Sequence, residues 1–95
     1  MDKLLNAILI HNDDNVITAT ESLRAGSTVR FKKNKEILEI VIQEEIPKFH
    51  KIALVDIDES KPVFKYGQLI GNAIKTISKG THVHDHNITS PKKIT

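Results

Sequence analysis

The segment Gly80-Thr81-His82-Val83-His84-Asp85-His86-Asn87 places three histidines at every second position, just behind a glycine. Because alternate side chains of an extended chain point to the same face, this spacing predicts a strand that carries His82, His84 and His86 in one row. A helix is disfavoured, since threonine, valine, aspartate and asparagine form helices poorly and a proline follows at position 91. Imidazoles bind transition metals and carry protons near neutral pH, so the row is a candidate functional site.

The rise of a strand limits which of these histidines can share a ligand. At about 3.3 Å per residue, His82 and His84 lie roughly 6.6 Å apart and can converge on one ion, whereas His82 and His86 lie about 13 Å apart. His86 therefore joins the others only if the chain bends near Asp85, and otherwise it contacts substrate or a partner. A solvated edge strand that binds nothing is the alternative interpretation.

Length and composition describe one small domain with an aliphatic core. The 95 residues are 39% hydrophobic and contain no cysteine, which excludes a disulfide framework, a cysteine zinc site and a thiol nucleophile. A net charge of +2 and only four aromatic side chains argue against a nucleic-acid or membrane partner. The apolar N-terminal stretch, residues 4–10, is too short to span a bilayer, and we expect a cytoplasmic protein.

Short apolar runs separated by turn residues predict a mainly β domain over residues 1–88, followed by a polar tail over residues 89–95. Besides the histidine segment, strands are predicted at residues 7–11, 27–31, 37–42, 51–55, 63–66 and 74–77.

One or two short helices are also predicted. Thr18 and Glu21 have capping-box spacing, which predicts a helix that begins at Asn15 or Thr18, runs through Leu23 and is closed by Gly26 in the left-handed conformation. The run Asn-Asp-Asp-Asn at residues 12–15 predicts a turn whose side chains cap backbone amides. At residues 68–73, a tight turn or a second short helix is predicted.

Several segments, taken in order, resemble one family. They are Asp14-Asn15-Val16, the short helix ending in Gly26, residues 50–54, residues 63–73 with Lys-Tyr-Gly-x-x-Ile-Gly, and the histidine segment. Together, over roughly residues 7–88, they resemble the SAF domain of the altronate and galactarate dehydratases and the small subunit of sulfolactate sulfo-lyase. The resemblance implies a β-clip fold. It also implies an enzyme in two parts, in which a large catalytic subunit supplies most of the active site.

The resemblance implies that the chain is the small subunit of a hydro-lyase that acts on a sugar acid or a related 2-hydroxy acid. It also implies that this subunit is inactive alone. Members of the family eliminate water from sugar acids, or sulfite from sulfolactate, and typically use a divalent metal such as iron(II). Removing a proton next to a carboxylate needs a cation to stabilise the developing charge. A metal-dependent site and a small carboxylate substrate are therefore expected, and a homo-oligomer is possible.

Site residues are expected in three groups. The expected metal ligands, for iron(II), manganese or zinc, are His82, His84 and His86. The expected catalytic residues are His84, Lys65, which pairs with the substrate carboxylate, and Tyr66, which hydrogen-bonds a hydroxyl. The expected substrate contacts are Asn15, Lys51 and Asn87, the last of which alternatively orients a histidine.

Other interpretations of these side chains stay open. A solvated lysine beside a packed tyrosine explains Lys65 and Tyr66 equally well, and a surface pair at a strand edge is favoured for His50 and Lys51. The alternative function is a non-catalytic binding or regulatory module, because one fold serves many functions.

Three positions depart from the family pattern. Phe49 and Ser60 stand where the family usually has a glycine in a turn. Asp85 stands between the last two histidines, where a small or apolar residue is usual, and it adds a carboxylate to the candidate site.

Overall fold

The structure, a computed structural model, describes residues 5–89, which form nine short strands. In chain order they are β1 Ala7–Ile8, β2 Val16–Ala19, β3 Thr28–Lys33, β4 Glu36–Val41, β5 Lys51–Ala53, β6 Pro62–Lys65, β7 Gln68–Ala73, β8 His82–Val83 and β9 Ile88–Thr89. Their pairings are all antiparallel, which confirms the mainly β prediction. No helix occurs within residues 5–89, so none of the described chain could cross a bilayer as a helix.

The strands form three small sheets, with the orders β1-β2-β5-β8, β3-β4 and β6-β7-β9. Directly paired residues share a face of a sheet. Ile17 pairs with Ile52 and both lie in one core cluster, whereas Val16 pairs with Ala53 and both lie in another. The four-stranded sheet therefore separates two cores. The larger core includes residues of the β3–β4 hairpin, and the smaller includes residues of β6, β7 and β9.

The short helix predicted to run through Leu23 is wrong, because β2 occupies the start of that segment. Val16, Ile17 and Ala19 are all buried, and β2 lies between β1 and β5. Burial of consecutive residues requires contacts on both faces, which a central strand provides, and the β-branched residues at 16–18 favour a strand. The second expected turn or helix, at residues 68–73, is strand β7.

One turn conformation recurs four times and connects the sheets. Each copy begins with a buried apolar residue in an isolated bridge, and the bridges are Leu23–Ile46 and Ile57–Ile77. Three residues later each copy has a residue with positive φ: Gly26 at 88°, Phe49 at 71°, Ser60 at 74° and Gly80 at 85°. The amides of these residues donate, in the same order, to the carbonyls of Ile42, Ala19, Ala73 and Ala53. The turns thus join segments that are distant in sequence, although the sequence shows no obvious repeat.

Phe49 and Ser60 occupy left-handed turn positions, the backbone conformation that glycine adopts without steric cost. The expected left-handed conformation of Gly26 is confirmed, but it closes a turn rather than a helix. Of the strand predicted at residues 74–77, only the Ile77 bridge forms. Thr89 pairs with Asn72 in β9, and the rest of the predicted tail, residues 90–95, lies outside the described residues.

Candidate functional site

The register between β5 and β8 brings a distant histidine to the histidine segment. Lys51 pairs with Val83 and Ile52 pairs with His82. Continuing this antiparallel register places His50 opposite His84, and their ring centroids are 4.3 Å apart. The site is therefore built from two strands rather than from one row.

Four imidazoles lie together at this end of the sheet, and we call His50, His82, His84 and His86 the histidine cluster. The ring centroid of His82 lies 5.0 Å from that of His50, 5.6 Å from that of His84 and 5.2 Å from that of His86. Nδ1 of His50 lies 2.8 Å from Nε2 of His82, so one of these two nitrogens donates a hydrogen bond to the other.

A bend after β8 brings His86 back towards His82, and Asn87 holds that bend. The side chain of Asn87 accepts a hydrogen bond from the His84 amide at 2.9 Å and donates one to the His82 carbonyl at 2.7 Å. Asn87 is only 4% exposed. The straight-strand separation of about 13 Å between His82 and His86 therefore does not apply here. The side-chain carboxamide of Asn87 therefore forms its hydrogen bonds within the turn, where it orients His82 and His84.

Two members of the cluster favour the neutral form. The pKa of His50 is lowered chiefly by partial burial, and then by the nearby charges of His84 and Lys51, with Asp85 opposing. The pKa of His82 is also lowered chiefly by burial, and then by its histidine neighbours. A neutral imidazole has a lone pair available, so these shifts favour the form that binds a cation or accepts a proton.

One lysine and one carboxylate lie beside the cluster, and a second lysine lies near the first. Partial burial lowers the pKa of Lys51, the charge of Lys65 lowers it further, and Asp85 opposes both effects. Lys65 and Asp85 are therefore each close enough to influence Lys51, and Lys51 and Asp85 also influence His50. The structure thus brings Lys51 to the histidines, with Lys65 near Lys51.

Tyr66 lies in the turn between β6 and β7, where its φ is 60°. Its side chain is exposed, and Nζ of Lys65 lies 5.0 Å from the ring centroid. The buried carboxylate of Asp14 holds this turn by accepting hydrogen bonds from the amides of Tyr66, Gly67 and His11. The expected amide capping by the Asx-rich run is confirmed, and it acts both on the nearby His11 amide and on a distant hairpin turn.

Asn15, expected to contact substrate, is engaged with the backbone of β6. Its side chain accepts a hydrogen bond from the Phe64 amide at 2.8 Å and donates one to the Pro62 carbonyl at 2.9 Å. These bonds anchor β6, the strand that carries Lys65. The structure therefore brings His82, His84, His86 and Lys51 together, with Lys65 near Lys51, while Asn15 supports the strand that carries Lys65.

Sequence reasoning missed His50 as a member of the site, and it gave no individual role to Asp14. Position 50 lies 32 residues before His82, so its proximity follows only from the β5–β8 register. The signal available was the His50-Lys51 pair within one of the segments that carry the family resemblance.

The donors present fit a divalent transition metal. Ligand atoms of His50, His82 and His84 all lie within 4.8 Å of one another. In addition, Nδ1 of His84 is buried and has no hydrogen-bond partner among the described residues. Neutral imidazoles suit zinc, iron and related ions, whereas magnesium and calcium prefer oxygen ligands.

Comparisons with known proteins identify the family of the domain. Residues 5–91 match the sequence profile of the altronate/galactarate dehydratase SAF domain. The chain is 38% identical over 80 residues to altronate dehydratase of Bacillus subtilis, and this alignment covers 84% of the chain but 15% of that enzyme. It is 33% identical over 87 residues to the L-threo-forming galactarate dehydratase of Escherichia coli, covering 90% of the chain and again 15% of the enzyme.

A second kind of relative has nearly the same length as the chain. This is the alpha subunit of (2R)-sulfolactate sulfo-lyase from Chromohalobacter salexigens, which is 28% identical over 88 residues. The alignment covers 88% of the chain and 94% of that subunit. Similar domains therefore exist both as a small part of a long enzyme and as a subunit.

Proposed function

Because the chain belongs to the altronate/galactarate dehydratase SAF domain family, we propose that it is the small part of a hydro-lyase acting on a sugar acid or a related 2-hydroxy acid. The observation that carries this proposal is the histidine cluster, which lies beside Lys51 in a domain of this family. A cytoplasmic location is part of the same proposal.

The proposed enzyme needs a large catalytic subunit of the dehydratase type. The chain spans about 15% of the length of the dehydratases it matches, so most of each such enzyme has no counterpart in it. The alpha subunit of the sulfo-lyase supports an arrangement in which a chain of this size works as a subunit. The histidine cluster would then form one wall of a shared site.

A divalent cation, iron(II), manganese or zinc, would be held by the histidine cluster and would stabilise negative charge that develops on the substrate carboxylate. In the elimination, the α-carbon loses a proton and the neighbouring carbon loses hydroxide, so that water leaves. Lys51 and Lys65 place positive charge where a carboxylate binds. Tyr66 presents an exposed phenol that can hydrogen-bond a substrate hydroxyl. The ring of His84 contacts those of His50 and His82, so a ligand bound by these two rings would also contact His84.

The test is reconstitution of the chain with a large dehydratase-type polypeptide. We expect the mixture to convert altronate, galactarate or (2R)-sulfolactate, with release of a 2-keto acid or of sulfite, and the chain alone to be inactive. His84→Ala and Lys65→Met should each lower kcat/KM by about 100-fold or more. Lys75→Met is the matched control, because Lys75 is an exposed lysine for which the site proposes no role.

Turnover by the chain alone would overturn the two-part enzyme. If the chain binds the large polypeptide without supporting turnover of any of these acids, the non-catalytic module becomes the better description.

A further inference from the structure

We propose that His50, His82 and His84 form a metal-binding triad that this domain provides without a partner, and that His86 is not a ligand. The proposal rests on the proposed function for its biological role, but metal binding by the triad is testable without any lyase activity. It assigns the third ligand to a residue outside the histidine segment.

The first argument is the convergence of the ligand atoms. The three imidazoles offer nitrogens within 4.8 Å of one another, and Nδ1 of His50 lies 2.8 Å from Nε2 of His82. Nitrogens that bind zinc at about 2.0–2.1 Å in a tetrahedral site lie roughly 3.3 Å apart. To bind one ion, the separation of 2.8 Å would open by about half an ångström, and a separation of 4.8 Å would close by about 1.5 Å.

The second argument separates His86 from the triad. Its ring contacts that of His82 at a tilted 36°, it is exposed, and its nitrogens do not belong to the convergent set. His50 instead stacks on both His82 and His84, with interplanar angles of 27° and 24°. His86 is thus left at the rim of the site, where it can contact substrate or move a proton.

The third argument is that the backbone fixes all three ligands. The His50 amide donates to the Pro47 carbonyl, which closes the turn that contains Phe49. On the other strand, the Asn87 side chain bonds the backbone of both His82 and His84. Ligands that are already in place lose little conformational entropy on binding, which raises affinity.

Three protein ligands leave coordination positions open, as in catalytic zinc sites. Lys51 and Asp85 lie on the border of the triad, where they influence the charge of His50. An all-imidazole set selects borderline ions such as iron(II), cobalt(II) and zinc(II) over magnesium and calcium.

The experiment is titration of the metal-free chain with cobalt(II) and zinc(II) at pH 7.5, followed by calorimetry and by the visible spectrum of cobalt(II). We expect one equivalent to bind, no binding of magnesium, and a rise in the melting temperature with zinc. His50→Ala and His84→Ala should each weaken cobalt(II) binding by about 100-fold or more, since even loss of a residue that only supports a ligand costs 10- to 100-fold.

His11→Ala is the matched control and should bind within about threefold of the unaltered chain, a difference below 1 kcal/mol. His86→Ala tests whether His86 is a ligand, and its affinity should lie within the same range. Circular dichroism checks that each variant is folded, and His50→Gln replaces any alanine variant that is not. The proposal is overturned if the unaltered chain binds no cobalt(II), if the His50 variants retain full affinity, or if His86→Ala weakens binding as much as His50→Ala does. None of these results bears on turnover by the reconstituted enzyme, so failure of the triad and failure of the lyase proposal are distinguishable.

Discussion

Two turns of the same conformation lead into the strands that carry the histidines, and they differ in the residue that adopts the positive φ. Gly80 precedes β8 with a φ of 85°, and Phe49 precedes His50 with a φ of 71°. A Cβ at Gly80 would lie 2.6 Å from the Val41 carbonyl oxygen, whereas the Phe49 side chain is 66% exposed. The fold therefore accepts a strained residue where its side chain reaches solvent, and excludes any side chain where the turn packs against backbone.

Replacing Gly80 by alanine should cause the largest loss of stability. A side chain in the left-handed region costs about 1–2 kcal/mol and overpacking against fixed backbone about 1–3 kcal/mol, so the free energy of unfolding should fall by about 2–5 kcal/mol. Gly26→Ala is the control, because its φ is 88° but a Cβ there meets no atom within 4 Å. Urea unfolding measures both variants, and equal losses would contradict the packing argument.

Replacing Asn87 by alanine should have the next largest effect, because the site after Gly80 depends on this side chain. It would leave the His84 amide and the His82 carbonyl without their partner, at a cost of about 1–3 kcal/mol in unfolding free energy. Cobalt(II) affinity should fall by about 10- to 100-fold. Asn12→Ala removes only an exposed hydrogen bond to Asn34 and should change stability by less than about 0.5 kcal/mol. Unchanged cobalt(II) affinity in the Asn87 variant would contradict this role.

Replacing Phe49 by glycine should stabilise the domain slightly. Release of left-handed strain gains about 1–2 kcal/mol, and the greater freedom of glycine in the unfolded chain offsets about 0.4–1 kcal/mol of it. Loss of the contact between Lys48 and the exposed ring reduces the gain further. Phe49→Ala keeps the strain and should show no gain. A Phe49→Gly variant that unfolds at lower urea concentration would show that the ring stabilises the turn.

Acidification should have the smallest and most gradual effect on the stability of the domain. The pKa values of His50 and His82 are lowered on folding, so the unfolded chain binds more protons than the folded chain below the ordinary value of about 6.5. The stability of the metal-free domain should therefore fall as the pH decreases from 7.5 to 5.5. Urea midpoints across this range should change less in a His50→Gln/His82→Gln variant. An unchanged slope would mean that other groups cause the loss.

Much of the fold was predictable because strands leave a local signal. The β3 and β4 runs and their connecting turn were recognisable from residues next to one another in sequence. The segment at residues 16–19 was not, because Thr18 and Glu21 imitate a helix cap, and burial on both faces depends on β1 and β5. A local pattern cannot show how many neighbours a segment acquires.

The candidate site, like the fold, was predictable from the sequence only in part. Alternation in the histidine segment was sufficient to propose His82 and His84 as a pair. The position of His86 depends on the bend that Asn87 stabilises, and that of His50 depends on the pairing of β5 with β8. Both require contacts that form only in the folded chain.

The pairing of β5 with β8 also sets when the site can exist during synthesis. His50 and His84 are 34 residues apart, which a ribosome translating 5–20 residues per second covers in about 2–7 seconds. During that interval His50 has left the peptidyl-transferase centre while His84 has not been made. A metal held by all three imidazoles can therefore be acquired only after translation of His84, and metal retention reports that β8 has paired with β5.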